Sequence, residues 1–90
     1  MAQQPSLKAA LIMTLHARIA TDPTICGGRP VIFGTRIEVA LIIGSLAAGM
    51  GVDDVAREYD LSPDDIRAAL AYASERVADE SLHPLPHRAA

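Results

Sequence analysis

The sequence predicts a small, mostly helical domain in which two short β segments precede a three-helix unit. Three observations carry that reading. Half of the 90 residues are hydrophobic, yet only Phe33, Tyr59 and Tyr72 are aromatic, so the core has to be built from Leu, Ile, Val and Ala, which suits closely packed small helices. The stretch ICGGRPVIFGTRIEV, residues 25–39, wraps two short apolar runs in glycine turns. Beyond Val39 the apolar residues return at helical intervals, and SPDD at residues 62–65 is a helix-start signal.

Residues 1–6 are polar and contain Pro5. Residues 7–20 fit two templates. Leu11, Met13, Leu15, Ala17 and Ile19 alternate with Ile12, Thr14, His16, Arg18 and Ala20, as in a strand. Leu7, Leu11, Leu15 and Ile19 also fall four apart after Ser6, as in a helix. We read residues 15–20 as a strand, because Thr21-Asp22-Pro23 ends it cleanly, and leave 7–14 open. Gly27-Gly28 and Gly34-Thr35 read as structural turns, where a missing Cβ lets the backbone fold tightly. Pro30 opens the run Pro30-Val31-Ile32-Phe33 at the position a strand tolerates, and Arg36-Ile37-Glu38-Val39 returns as a second short strand.

Residues 39–48 read as a helix that is apolar nearly all round, which implies burial on most sides. Gly49 suits its C′ position. In the next helix, residues 52–59, Val52, Val55, Ala56 and Tyr59 share one face, and Asp53, Asp54, Arg57 and Glu58 face water. Asp60-Leu61 is a turn. Ser62 is then an N-cap, Pro63 the first helical residue, and Asp65 closes a capping box. Ile66, Ala69, Leu70, Ala73 and Val77 form the apolar stripe of this third helix. LHPLPHRAA, residues 82–90, has two prolines and no period. The division expected is an N-terminal extension at 1–14, one domain at 15–79 and a flexible tail at 80–90.

A chain this short buries only about 60–65% of its unfolded surface. One cysteine allows no internal disulfide, and oligomerisation is the natural way to add core. The lone Cys26 fits a reducing compartment. The start lacks a basic segment and an A-x-A cleavage site, and the apolar run 39–50 is too short to cross about 30 Å of hydrocarbon, so a cytoplasmic location is expected. The formal charge is −3, with +2 on residues 1–50 and −5 on 51–90, which weighs against a role resting on the phosphate backbone alone.

The run VAREYDLSPDDIRAAL, residues 55–70, has helix-turn-helix spacing: Ala56 permits a close crossing, Leu61 plugs the turn, and Ile66 and Leu70 anchor the second helix. Its outward leading residues would be Pro63, Asp64, Asp65, Arg67 and Ala68, and the two acids have the wrong sign for phosphate. The bland alternative is a helical corner that only builds core. GGR…GTR lacks the lysine-serine/threonine end of a phosphate loop and the G-x-G-x-x-G pattern. Arg29 and Arg36 are suited to phosphates or carboxylates, or could pair with Asp22 or Glu38. His16, His83 and His87 are scattered, and Cys26 has no histidine near it in sequence, so neither catalysis nor a metal is expected, and no cofactor.

Residues from about 19 to 76 resemble the bacterial domain-of-unknown-function family numbered 433. The likeness rests on DPTICGGRPVIFGTRIEV, a helix ending in Ala-Gly, and a helical pair leading to AALAYA. Cys26 and Phe33 occupy variable positions of that pattern, and Glu38 stands where proline is frequent. The resemblance implies a homeodomain-like or winged-helix-like core. It also implies the VapB-like antitoxin half of a VapBC-type pair, with a PIN-like ribonuclease toxin as partner and autoregulatory DNA binding as a dimer. In that frame Arg29, Arg36 and Arg67 are the candidate DNA-binding residues, and Arg76 and Arg88 the candidate partner-binding ones. The alternative function is a protein-interaction or oligomerisation module that binds no nucleic acid.

Overall fold

The computed structural model describes residues 6–81. Four helices carry most of it: α1 Leu7–His16, α2 Val39–Ala47, α3 Val52–Glu58 and α4 Pro63–Ser81. Two short strands, β1 Ile19–Ala20 and β2 Val31–Ile32, form an antiparallel pair in which Ile19 faces Ile32 and Ala20 faces Val31. A single left-handed turn of 3₁₀ type lies between the strands at Cys26–Gly28, whose φ angles are +50, +66 and +84. The architecture is therefore mostly helical with a small N-terminal sheet. No helix among the described residues is long and apolar enough to cross a membrane.

The strand expected at 15–20 is confined to Ile19–Ala20: Leu15 and His16 end α1, and Ala17 and Arg18 form a turn between α1 and β1. Of the two periodicities, the four-residue spacing of Leu7, Leu11 and Leu15 wins, and Ser6 caps the helix by accepting from the Ala9 N–H at 3.1 Å. Pairing explains the outcome: β2 offers two partnered residues, and a longer β1 would leave its remaining backbone groups unmatched. The returning strand at 36–39 is likewise reduced, to a bridge between Val31 and Glu38. Its backbone is still satisfied, since Ile32 N–H donates to the Ile37 carbonyl and Val39 N–H to the Pro30 carbonyl, both at 2.9 Å. The turn joining these segments is held by Thr35, whose N–H and hydroxyl both donate to the Ile32 carbonyl.

Helix α2 ends in a Schellman motif. Gly49 N–H donates to the Leu46 carbonyl and Met50 N–H to the Ser45 carbonyl, with Gly49 at φ +105. Burial on most sides of α2 is not observed. Val39 and Ile42 are buried, whereas Ala40, Leu41 and Gly44 are exposed. Among the described residues only α3 and α4 pack extensively on this helix, and none forms a further layer over its other side. Helix α3 ends in the same motif as α2, with Asp60 in the left-handed region at φ 55 and Leu61 N–H donating to the Ala56 carbonyl at 2.8 Å.

The capping box opening α4 is formed: Asp65 N–H donates to Ser62 Oγ at 3.2 Å, and Ser62 N–H to Asp65 Oδ2 at 3.0 Å. The apolar stripe of α4 is rotated from the one expected. Ile66 and Ala69 are fully buried, but so is Ala68, expected to point outward, while Leu70 and Val77 are 41% and 65% exposed. The reason is that α4 is a hub: α1, α2, α3 and β1 all pack on it, so its buried arc widens toward Ala68 and Tyr72. The core gathers Ile32, Val39, Ile42, Val55, Ala56, Ile66 and Ala69. Helix α4 continues through Ser81, so the first two residues of the expected tail are helical. Residues 82–90 lie outside the described residues.

Candidate functional site

The candidate arginines separate in space. Arg29 follows the 3₁₀ turn, donates from Nε to the Cys26 carbonyl at 3.2 Å and lies 3.5 Å from Glu38. That contact is one of the pairings its sequence allows. Asp22 is engaged instead by Thr24, whose N–H and hydroxyl both donate to it and hold its carboxyl below the usual carboxylate value. Arg36 is exposed on the loop before α2; its carbonyl accepts the Cys26 thiol at 3.6 Å, and its guanidinium has no partner among the described residues. Arg67 pairs with Asp64 one helical turn back, at 2.9 Å. Arg76 is exposed on α4 with no ion pair among the described residues. Arg88 lies outside them.

The leading end of α4 contains an arginine that sequence reasoning passed over. Arg18, just before β1, donates to Asp65 at 3.0 Å and approaches Asp64 at 3.8 Å. Burial alone would raise the Asp65 carboxyl. The hydrogen bonds from Ser62 N–H, the Arg18 guanidinium and the Ser62 hydroxyl outweigh it and hold the group below its ordinary value of 3.8. Asp64 and Asp65 are thus answered by Arg18 and Arg67, and the α4 tip is nearly balanced in charge. Nothing local in the sequence marks the Arg18–Asp65 pair, whose members are 47 residues apart.

A groove of about 510 Å³ runs between α2 and α4. Val39, Ala40, Ile43 and Gly44 line one side, Tyr72 and Ala73 the other, with Arg29, Pro30, Glu38 and Arg76 at its margins. The structure therefore brings together Arg29 and Arg76, which the sequence reading assigned to different roles, and leaves Arg36 and Arg67 off this surface. The wall is apolar and the charged groups are mainly guanidinium donors, so the groove suits an apolar ligand carrying acceptors. The sequence signal for this groove was present in the AALAYA run, but which of those residues face α2 depends on the rotation of α4.

His16 joins α1 to α4. Its Nε2 is buried 3.3 Å from Glu75 Oε2, yet it is not aligned for a hydrogen bond, so the contact is an ion pair only when the imidazole is protonated.

Three similarities to known proteins cover this part of the chain. A crystal structure described as that of Rv2018 from Mycobacterium tuberculosis aligns with a TM-score of 0.55 and 39% identity, over 60% of this chain and 25% of that one. A protein of Mycobacterium tuberculosis (strain ATCC 25618 / H37Rv) named "Putative antitoxin VapB45" is 39% identical over 54 residues, covering 60% of this chain and 23% of that protein. This chain thus spans about a quarter of the length of the relatives it matches. The sequence profile described as "Protein of unknown function (DUF433)" matches residues 19–73, from β1 through the groove-lining part of α4. With more than half of its length matched, the chain belongs to the DUF433 family.

Proposed function

We propose that the chain is the antitoxin half of a toxin–antitoxin pair, acting as a homodimer that neutralises a PIN-like ribonuclease and binds its own promoter. The observation that carries this is the 39% identity over 54 residues to a protein bearing an antitoxin's name. The working unit is residues 15–79, with 1–14 as an extension and the 80–90 segment, including Arg88, contributing to the toxin contact together with Arg76. Helices α3 and α4 with their short corner serve as the helix-turn-helix element. Arg29, Arg36 and Arg67 are its phosphate contacts. The answered charges of Asp64 and Asp65 support that role, because an acidic pair left alone would repel the backbone.

The dimer surface is α1. Its Leu7, Leu11 and Met13 are exposed, as is Phe33 beside β2. Val31 and Ile32 are buried inside the protomer and belong to its own core. The side chain of Ile12 lies outside the described residues. A second reading, an interaction module without nucleic-acid contact, is favoured by the acidic balance of residues 51–90.

Co-expression with the product of the neighbouring gene is the test. Growth rescue and co-purification support the antitoxin, and a toxin that still kills rejects it. Gel shifts on the operon's promoter, with Arg29→Ala, Arg36→Ala and Arg67→Ala, examine DNA binding. If no form shifts DNA even with the partner bound, the interaction module replaces the autoregulator. Light scattering at micromolar concentration checks the dimer, which a stable monomer would exclude.

A further inference from the structure

We infer that the groove between α2 and α4 seats an acidic amphipathic helix of the partner protein, an inference that rests on the antitoxin reading and names where the toxin binds. Gly44 is the first observation. It sits inside α2 with an ordinary helical backbone, where glycine weakens a helix, and a Cβ there would meet nothing within 4 Å. Among the described residues nothing uses the missing side chain. Ala40 lies one turn earlier on the same ridge, and Ala73 lies across the groove, so the floor is low enough for a second helix to approach closely. Ile43, Val39 and Tyr72 supply apolar walls.

Charge selects the occupant. Arg76 has no partner among the described residues, and Arg29 is 70% exposed at its 3.5 Å contact with Glu38. Two guanidiniums at the margin of an apolar trough fit a helix whose aliphatic side chains at three- and four-residue spacing are flanked by carboxylates. A nucleic-acid backbone would satisfy the arginines and leave the apolar floor unfilled.

The experiment measures affinity for the neighbouring gene's ribonuclease by calorimetry, using the full chain and Gly44→Leu, Gly44→Ala and Arg76→Glu variants. Gly44→Ala should raise the melting temperature of the free protein, because it improves the helix and meets open space. Gly44→Leu and Arg76→Glu should each weaken toxin binding by about tenfold or more, with helical dichroism retained. If the wild-type chain binds the toxin and both variants bind equally well, the groove is not the seat, and the antitoxin reading stands. If the wild-type chain does not bind the toxin, both readings fall. If Gly44→Leu converts a dimer to a monomer and leaves toxin binding unchanged, the groove's occupant is a second copy and this proposal is overturned.

Discussion

Gly34 adopts φ +80 at the third position of the turn from Ile32 to Thr35, a backbone conformation that L side chains rarely enter. A Cβ at Gly34 would meet nothing within 4 Å, so the cost of a side chain there is conformational rather than steric. Gly34→Val is expected to destabilise by about 1–3 kcal/mol, and an unchanged urea midpoint would show that the turn relaxes. Asp65 gives a second prediction at this scale. Its folded carboxyl titrates below 3.8, so the unfolded chain binds the proton first as pH falls. The stabilisation is fully present above that value and is lost as pH drops through the folded one. Asp65→Asn should therefore lower stability at pH 7 and flatten its decline below about pH 4, which urea titrations at several pH values would measure. The capping box behind this was legible because Ser62 and Asp65 are three residues apart. The Arg18 contact was not, because only the packing of β1 against α4 brings it there.

Among the elements, legibility followed how local the deciding force was. The ends of α2 and α3, set by Gly49 and Asp60, could be read from residues next to them. The choice between helix and strand over residues 7–20 could not, because both periodicities were present and the sheet's length settled it. The open face of α2 was hidden for a related reason. An apolar helix implies cover, and nothing next to α2 in sequence marks that the described residues leave one face of it open. Besides apolar packing, the docking of β1 and the end of α1 on α4 includes the side-chain contacts Arg18–Asp65, Arg18–Asp64 and His16–Glu75. Arg18 is 41% exposed and Asp65 15%, which places their pair between a surface and a buried bridge. A double-mutant cycle of Arg18→Ala and Asp65→Ala should give a coupling of about 1 kcal/mol, and a value near zero would assign the docking to packing alone.

The whole molecule is organised around α4, which touches every other helix and the first strand. The described fold therefore stands or falls with one 19-residue helix, while the candidate groove uses the same helix as a wall. That central placement has a kinetic side. Helices α2, α3 and α4 are near neighbours in the chain and close short loops when they meet. Arg18 and Asp65 must close a loop of 47 residues, which costs more chain entropy before any contact rewards it. The N-terminal arm is expected to dock last and to leave first. Native-state amide exchange should show α1 opening as a separate unit, with protection well below that of Ile42, Val55 and Ile66 amides, and equal protection throughout would mean a single cooperative block. The surface of α4 that α1 covers would then be uncovered for a fraction of the time set by that local opening equilibrium, open to ligands that the closed form shuts out.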